Sequence, residues 1–308
     1  MGTHVTSDYR PASRRLSAIS GRNRRVLRVI TANVNGIRAA ARRGGIGWLE
    51  AQNPTVVTLQ EVRGTEAHLR SAIAGSRFEP WHVAHAESHL AGRNGVAVLT
   101  EDEPLAVRTG LPGFDTDGRW LEVDLPDEYG VLTVISAYVH TGEAETDRQV
   151  EKHQFLDAMQ ARLDALADRS EAGDGEALLT GDLNIAHRDF DIKNWKGNLK
   201  KSGFLPQERA YLDGWFGYGW DGVPGSSGPV EHTGRWVDLG RLYGGDGPGP
   251  YTWWSWRGKA FDNDAGWRID YEIATQRLAG RSRSAVVGRA PTYAERWSDH
   301  APLTVDFD

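Results

Sequence analysis

Short apolar runs that end in polar residues recur along the chain and predict β-strands. The first run covers Val26 to Thr31 and the second covers Thr55 to Gln60, and both are rich in β-branched residues. Similar runs follow at 95–99, 120–125, 131–139, 177–179, 251–254, 267–274, 285–287 and 303–307. Gly- and Pro-rich loops separate the later runs, notably at 221–229 and 244–250.

Two stretches have the pattern of helices. Residues 37–52 form one, and Asn53-Pro54 ends it. The other contains a single apolar stripe with 3, 4, 3 spacing, formed by Leu156, Met159, Leu163 and Leu166. Strands outnumber helices and no linker divides the chain. The pattern therefore predicts one α/β domain over residues 26–308, with two packed sheets and helices outside them.

Composition excludes several classes of protein. The 308 residues contain no Cys, which excludes disulfides, cysteine-ligated metals and thiol catalysis. No apolar run approaches the ~20 residues that cross a bilayer, so we expect no membrane partner. Because nothing in the Cys content favours secretion, we expect a cytoplasmic protein.

Charge is distributed unevenly. The net charge of −6 argues mildly against a nucleic-acid partner, although a local basic face can bind phosphates while carboxylates surround a metal. Residues 1–28 carry seven Arg and one acid, Asp8. We expect residues 1–25 to form a basic disordered tail, because they show little hydrophobic periodicity and lack the apolar core of a signal peptide.

The stretch from Leu178 to His187 combines a buried strand with polar residues. The apolar run 177–179 ends at Gly181, and Asp182 and Asn184 follow with one apolar residue between them. At strand spacing these two side chains point the same way. A carboxylate that orients or deprotonates water, beside an amide that holds a phosphoryl oxygen, is suited to phosphate chemistry. An ordinary polar turn is the alternative.

Other polar residues also follow the predicted strands. They are Asn33, Asn35, Glu61, Tyr138, Asp270, Asp299 and His300. Each alone has a structural explanation, but together they place metal-binding, proton-transfer and anion-binding groups where α/β sites are usually built. A single Glu with amide and carboxylate neighbours favours a hard ion such as Mg²⁺, whereas the chain has no zinc motif.

These residues lie in motifs that resemble the endonuclease/exonuclease/phosphatase superfamily. The motifs are Asn33-Val34-Asn35-Gly36, Leu59-Gln60-Glu61, Gly181-Asp182-Leu183-Asn184 and Ser298-Asp299-His300-Ala301-Pro302. A longer set resembles the exonuclease III group of class II apurinic/apyrimidinic (AP) endonucleases. It comprises segments 184–187, 191–194, 197–198, 203–204, 206–209, 251–254 and 266–271. The resemblance runs from about Val26 to the C-terminus.

The resemblance implies a fold and a metal site. The fold is a four-layer α/β sandwich like that of deoxyribonuclease I, with two packed mixed β-sheets flanked by helices. Glu61 would be the principal ligand of Mg²⁺, with Mn²⁺ as the alternative ion. Asn35 and Asp299 would line the ion site directly or through water.

The resemblance also implies catalytic roles. Asp182 would orient or deprotonate the attacking water, although Asp182 is only the favoured candidate for the general base. Asn184 would hold the scissile phosphate, and Tyr138 would donate to a phosphate oxygen or the leaving group. His300, steadied by Asp270, would contact the phosphate.

The implied substrate is double-stranded DNA, especially abasic sites and 3′ ends, bound by a monomer. The implied activities are cleavage 5′ to abasic sites, 3′→5′ exonuclease and 3′-phosphatase. Predicted phosphate or DNA contacts are Asn33, Arg63, Asn194, Lys196, Asn198 and Lys200. An abasic pocket would contain Trp253, Trp267 and Ile269, unless these tryptophans belong to the core.

Two alternatives and two departures remain. Another phosphoesterase of the same fold, acting on lipid or inositol phosphates, is less consistent with the lysines of segment 187–209. A catalytically inert DNA-binding protein is less consistent with the filled catalytic set. His140-Thr141 replaces the usual Pro and amide residue of the family, and Val62-Arg63 replaces the usual Thr-Lys.

Overall fold

The computed structural model describes residues 26–217 and 234–308. The predicted tail, residues 1–25, and the predicted loop at 221–229 lie outside the described residues. Two six-stranded sheets occupy the centre of the described part. Their strands are β1 (Leu27–Asn33), β2 (Val56–Gln60), β3 (His82–Ala86), β4 (Val96–Thr100), β5 (Ala106–Thr109), β6 (Trp120–Asp127), β7 (Gly130–Tyr138), β8 (Glu176–Asp182), β9 (Trp236–Asp238), β10 (Asp270–Thr275), β11 (Ser282–Val287) and β12 (Leu303–Phe307).

Helices cover the outer faces of the sheets. They are α1 (Ile37–Arg42), α2 (Gly45–Ala51), α3 (Glu66–Ile73), α4 (Asp147–Glu171), α5 (Pro206–Phe216), α6 (Leu239–Gly244) and α7 (Gln276–Ala279). None of the helices in the described ranges combines the length and the apolar character that crossing a bilayer requires.

Each sheet has a parallel pair of strands near its middle. The first sheet has the order β11-β12-β1-β2-β4-β3, and β1 and β2 run parallel. The second has the order β5-β6-β7-β8-β10-β9, and β7 and β8 run parallel. The other strand pairs described are antiparallel, so both sheets are mixed. The carboxyl ends of each parallel pair therefore meet at one edge of their sheet.

Successive residues of each strand pack alternately between the two sheets and against the outer helices, which gives four layers in the order helix, sheet, sheet, helix. Val29 of β1 packs between the sheets with Val98 and Val134, whereas the next residue, Ile30, faces the helices of the first sheet. This alternation follows from the two-residue period of a strand. On the second sheet, Leu179 packs against the α4 stripe that includes Met159. The predicted two-sheet sandwich with outer helices is confirmed, as is the buried stripe of α4.

Glycine geometry changes two of the predicted elements. The helix predicted at 37–52 is two helices, separated where Gly44 has a left-handed φ of 87°. The strand predicted to end at Gly181 continues through that residue to Asp182. Gly181 has a φ of 126°, and a Cβ there would lie 2.1 Å from the carbonyl oxygen of Ala137. Gly181 therefore allows two strands to approach closely instead of ending one of them.

The remaining differences concern the edges of the sheets and the segments beside the site. Residues 251–254 form no strand; Trp253 makes only isolated bridges to Trp267 and His300. The run predicted at 267–274 becomes a strand only from Asp270. The strands that the pattern missed, β3, β5 and β9, all lie at sheet edges. An edge strand is short or solvated on one side, so its apolar pattern is weak.

Candidate active site

The central strands bring four polar side chains to one place. Asn33 is the last residue of β1, Glu61 follows β2, and Tyr138 and Asp182 end β7 and β8. Because the two sheets pack face to face, the carboxyl ends of both parallel pairs converge between them. The prediction that strand-end residues form one cluster is confirmed for these four positions.

Asn33 connects the two carboxylates of this cluster. Its Nδ2 donates to Glu61 Oε1 and to Asp182 Oδ2, both at 2.9 Å. Its Oδ1 accepts from the Asn35 backbone N–H at 3.0 Å, and the residue is 1% exposed. Both polar atoms of the Asn33 amide are thus bonded inside the protein, and the contact of Asn33 with phosphate stays a prediction.

A left-handed turn after β8 places Asn184 beside Asp182. Asn184 has a φ of 50°, and its backbone N–H donates to Asp182 Oδ1 at 2.9 Å. Its side-chain Nδ2 donates to Val139 O at 2.9 Å and lies 3.4 Å from Asp182 Oδ2. The predicted neighbourhood of carboxylate and amide is confirmed, although a turn creates it and not the two-residue spacing of a strand.

Asp270 and His300 complete the cluster from the neighbouring strand and a C-terminal loop. Asp270 pairs with Asp182 in the antiparallel register of β10 and β8, so it begins a strand and does not follow one as predicted. Its Oδ2 lies 2.9 Å from His300 Nδ1, while His300 Nε2 lies 3.8 Å from Asp182 Oδ2. The imidazole thus stands between two buried aspartates.

Burial and unlike neighbours shift the acid–base properties of these groups. Burial raises the pKa of Asp182 to about 8, and Asp270 and Glu61 add to the rise while His300 opposes it. Burial by itself would lower the pKa of His300, but Asp270 and then Asp182 raise it to about 10. Burial, with Glu61 and Asp182, also raises the pKa of Tyr138. The site therefore holds a carboxylate of raised basicity beside a charged imidazole.

The acidic groups of the cluster fit a metal ion. Glu61, Asp182 and His300 each place one ligand atom within 4.8 Å of the others. Asp270 Oδ1 is buried and makes no hydrogen bond within the described residues. Arg63 pairs with Glu61, and its side chain is 42% exposed. Because oxygen ligands dominate, this donor set suits a hard divalent cation and could hold one.

Asn35 and Asp299 lie on the rim of the same cluster. Asn35 Nδ2 donates to Asp299 Oδ1 at 2.7 Å, and Trp253 Nε1 donates to Asp299 Oδ2 at 3.2 Å. Asp299 thus joins the predicted metal residues to the predicted abasic pocket.

The predicted pocket residues form one apolar group. Ile269 is buried, whereas Trp253 and Trp267 are partly exposed, and their rings meet edge to face at 6.2 Å. Trp254 packs on the opposite side, in a different cluster with Phe261. Trp253 therefore lies beside Asp299 and His300, and the ring of Trp267 packs against that of Trp253.

The lysine-bearing loop, which lies within segment 187–209 and carries Lys193, Lys196, Lys200 and Lys201, lies against this apolar group. Ile192, Trp195 and Leu199 of the loop pack with the tryptophans. Asn194, Lys196 and Lys200 are exposed. Asn198 is 8% exposed, and its Nδ2 donates to Asn194 O at 2.7 Å, so it shapes the loop in this structure.

Several residues that were not predicted from the sequence support the backbone around the candidate site. Lys152 Nζ is buried, donates to Asn184 O at 2.8 Å and pairs with Glu208 at 2.7 Å. Thr252 Oγ1 accepts from the backbone N–H of Asp270 at 3.1 Å, and Ser298 Oγ donates to Asn33 O at 2.7 Å. The sequence contains a signal for the buried position of Lys152, because this charged residue lies four residues before Leu156 and so falls on the apolar stripe of α4.

Comparison with known proteins now identifies the family. The sequence model of the Endonuclease/Exonuclease/phosphatase family matches residues 30–300. The chain belongs to this family. Exodeoxyribonuclease III of Haemophilus influenzae is 30% identical over 291 residues, which cover 91% of this chain and 100% of that protein. Within the endonuclease/exonuclease/phosphatase family, the chain thus falls in the exonuclease III/AP endonuclease group, as predicted.

Solved structures agree with this placement. An AP endonuclease from Archaeoglobus fulgidus is similar with a TM-score of 0.73 at 27% identity, covering 92% of this chain and 99% of that one. A 3′ phosphatase from Neisseria, bound to a product DNA hairpin, is similar with a TM-score of 0.74 at 26% identity, with coverage of 92% and 99%. The predicted deoxyribonuclease I-like fold is confirmed, and the chain is a hydrolytic nuclease of the family.

Proposed function

We propose that this protein is a Mg²⁺-dependent DNA repair nuclease. It cuts the phosphodiester 5′ to abasic sites in duplex DNA, leaving a 3′-hydroxyl, and also removes nucleotides and phosphates from 3′ ends. The observation that carries the proposal is the buried cluster of Glu61, Asp182, Asp270 and His300 at the meeting point of the two sheets. Relatives named as exodeoxyribonuclease III and AP endonuclease support the substrate class.

Asp182 is the proposed general base. A general base works best when its pKa lies near the working pH, and burial brings the pKa of Asp182 to about 8. Its carboxylate is fixed by Asn33 Nδ2 on one oxygen and by the Asn184 backbone N–H on the other. The side chain is therefore oriented before substrate arrives, so little reorganisation is needed when it accepts a proton from water.

His300 and Tyr138 are the proposed partners of the phosphate. Because Asp270 and Asp182 keep His300 protonated, its imidazolium supplies positive charge where the pentacovalent phosphate carries negative charge. The raised pKa of Tyr138 keeps its phenol protonated, so it can donate to a phosphate oxygen or the departing 3′ oxygen. The guanidinium of Arg119 lies 4.7 Å from the ring centroid of Tyr138 and steadies that ring.

Glu61 is the proposed principal metal ligand, with Asn35 and Asp299 lining the site. Mg²⁺, or Mn²⁺ in its place, supplies Lewis-acid neutralisation of the phosphate and of the leaving oxygen when bound. The guanidinium of Arg63 forms an ion pair with the Glu61 carboxylate and adds a positive charge at the rim of the site.

Trp253, Trp267 and Ile269 are the proposed abasic pocket. A sugar without a base leaves the helix at less energetic cost than a paired nucleotide, and a small apolar pocket excludes a normal base. The partly exposed indoles and the link from Trp253 to Asp299 support this role. Exposed Lys196 and Lys200 are placed to contact the DNA backbone, which would make binding weaken with salt.

End-labelled duplexes test the proposal. One duplex contains a single tetrahydrofuran abasic analogue, a second is intact, and a third ends in a 3′-phosphate. Each is incubated with Mg²⁺ or with EDTA. We expect a single incision 5′ to the analogue with Mg²⁺, slower shortening of the intact 3′ end, phosphate release from the third duplex, and none of these in EDTA.

The controls separate this enzyme from its relatives of the same fold. Asp182→Asn should lower all three activities together and by a similar factor, which excludes a contaminating nuclease. Cleavage that persists undiminished in EDTA would refute the metal mechanism. Hydrolysis of an inositol phosphate in preference to all three duplexes would refute the substrate class.

A further inference from the structure

A second cluster of metal-binding side chains lies outside the active-site cluster. It contains Asp117, in the loop before β6, His140, two residues after Tyr138 ends β7, and Glu151 in the second turn of α4. Each offers one ligand atom, and these atoms lie within 4.8 Å of one another. His140 Nε2 is 3.5 Å from Glu151 Oε1 and 4.0 Å from Asp117 Oδ2. None of the proposed catalytic steps uses these residues.

His140 is buried without a hydrogen-bond partner. It is 6% exposed, and neither ring nitrogen makes a hydrogen bond within the described residues. Leaving a buried polar atom without a hydrogen bond destabilises the folded protein, so such groups usually have a structural or functional reason. In contrast, His187 Nε2 lies 2.8 Å from an Asp213 oxygen and His300 Nδ1 lies 2.9 Å from an Asp270 oxygen.

His85 provides a comparison that separates burial from ligand geometry. Its two ring nitrogens also lack hydrogen bonds among the described residues. However, among the described residues His85 forms an ion pair with a single carboxylate, Glu87 at 3.7 Å from its Nδ1, and Glu66 acts on it only electrostatically. His140 differs because two carboxylates from different elements approach the same nitrogen.

We propose that Asp117, His140 and Glu151 form a binding site for a divalent transition-metal ion such as Zn²⁺. Two ligands each about 2.0 Å from a tetrahedral ion are about 3.3 Å apart. This is close to the 3.5 Å between His140 and Glu151 and shorter than the 4.0 Å between His140 and Asp117. One imidazole with two carboxylates suits such an ion better than Mg²⁺, which prefers oxygen ligands alone. The two carboxylates also balance the charge of a divalent ion.

The surroundings of the site are compatible with metal binding. Phe114 and Phe155 pack edge to face against the imidazole, with centroids 5.8 and 5.1 Å away, and hold its orientation. Burial, with the positive charges of Arg119 and Lys152, lowers the pKa of His140 to about 3, so the ring is in the neutral form that binds metals. The Glu151 side chain is 51% exposed and can rotate to close the ligand set.

The bound ion would connect the loop before β6, the end of β7 and the start of α4, close to Tyr138. Arg119, two residues after Asp117, donates through Nη1 to Tyr138 O at 3.1 Å and faces the Tyr138 ring. The site would therefore stabilise the loop before β6, the end of β7 and the start of α4 as one unit.

Cobalt titration tests the site on the full-length protein. The protein is stripped with EDTA, dialysed into excess Mg²⁺ and titrated with Co²⁺, whose visible absorption reports an N/O ligand set directly. We expect one Co²⁺ site in the wild type that Zn²⁺ displaces. His140→Phe, which suits the aromatic surroundings, should weaken Co²⁺ binding at least about tenfold, since losing even a supporting group of a metal site costs about 10–100-fold.

Further variants keep the test decisive. Glu151→Gln alters an exposed helix position, so it should fold normally and also weaken Co²⁺ binding, which decides the matter if His140→Phe fails to fold. His85→Leu is the matched buried-histidine control and should keep the Co²⁺ spectrum, as should Glu61→Gln in the active site. Unchanged Co²⁺ affinity in Glu151→Gln, loss of the spectrum in Glu61→Gln, or no Co²⁺ binding by the wild type would overturn the proposal.

Discussion

Asp182 and Asp191 are both completely buried aspartates, yet their surroundings are opposite. Asp182 faces Glu61 and Asp270, with His300 Nε2 3.8 Å away, and burial raises its pKa to about 8. Asp191 lies in a short 3₁₀ turn, Asp189–Asp191, near the start of the lysine-bearing loop. Arg268 Nε donates to its Oδ1 at 2.6 Å, and Arg241 pairs with the same carboxylate. Although burial opposes ionisation, these arginines lower the pKa of Asp191.

The difference shows that charge balance, and not burial, distinguishes the candidate active site from the scaffold. The Asp191 cluster is complete in itself, since Arg268 also pairs with Asp238 at 2.8 Å. The Asp182 cluster has more carboxylates than cations, so a metal and a phosphate can complete it. Substitutions should therefore reduce activity in the first region and stability in the second.

The largest expected effect comes from removing the proposed metal ligand. Glu61→Ala should lower Mg²⁺-dependent incision by roughly 10³-fold or more, because a metal supplies several kcal/mol of charge stabilisation. Folding should be retained, since one carboxylate of an acid-rich cluster is lost. Single-turnover incision and circular dichroism measure the two effects. Glu103→Ala, at an exposed position, is the control, and an incision rate equal to that control would exclude Glu61 as the ligand.

Asp182→Asn should lower kcat by roughly 10²–10⁴-fold, the usual range for general acid–base catalysis.

The ionisation of Asp182 should also make the stability of the folded protein depend on pH. Because the folded pKa of Asp182 is raised above its ordinary value of 3.8 to about 8, metal-free wild type should lose stability as pH rises between these values. The variant lacks this ionisation, so its urea midpoint should fall less over that range. A steeper fall would contradict the assigned direction.

Asp191→Asn should lower the free energy of unfolding by about 3–5 kcal/mol, the usual cost of removing one partner from a buried ion pair. Because the folded pKa of Asp191 is lowered, its contribution is present at neutral pH and is lost as pH falls below the unfolded value. Urea unfolding at neutral pH measures the loss. Asp189→Asn, in the same turn, should change it little. If both variants are equally stable, the cluster is not part of the scaffold.

The smallest expected effect separates pocket from core. Trp267→Ala should reduce the preference for abasic over intact duplex by about tenfold, in line with the loss of one apolar pocket contact. Its melting temperature should change little, since the indole is partly exposed. Trp48→Ala, a partly buried tryptophan of α2, should leave the preference unchanged. If Trp267→Ala unfolds or keeps full discrimination, Trp267 belongs to the core.

Local sequence patterns were sufficient for much of the fold and for the central part of the site. The apolar runs located β1, β2, β4, β6, β7, β8 and β12, and the stripe containing Met159 located α4. Polar residues after three of these runs identified Glu61, Tyr138 and Asp182. These features depend on residues close together in the chain, because a short apolar run that is rich in β-branched residues and bounded by turn residues indicates a buried strand.

Tertiary structure alone decided which polar residues meet and what each one does. Asn33 and Asp182 are 149 positions apart, so no local pattern shows that the Asn33 amide donates hydrogen bonds to two carboxylates. In the same way, Lys152 reaches Asn184 only because α4 packs on the second sheet. Asp117, His140 and Glu151 come from three elements, and no local sequence pattern groups them. A sequence specifies strands through its local period, whereas charge balance and partner choice depend on distances that only packing sets.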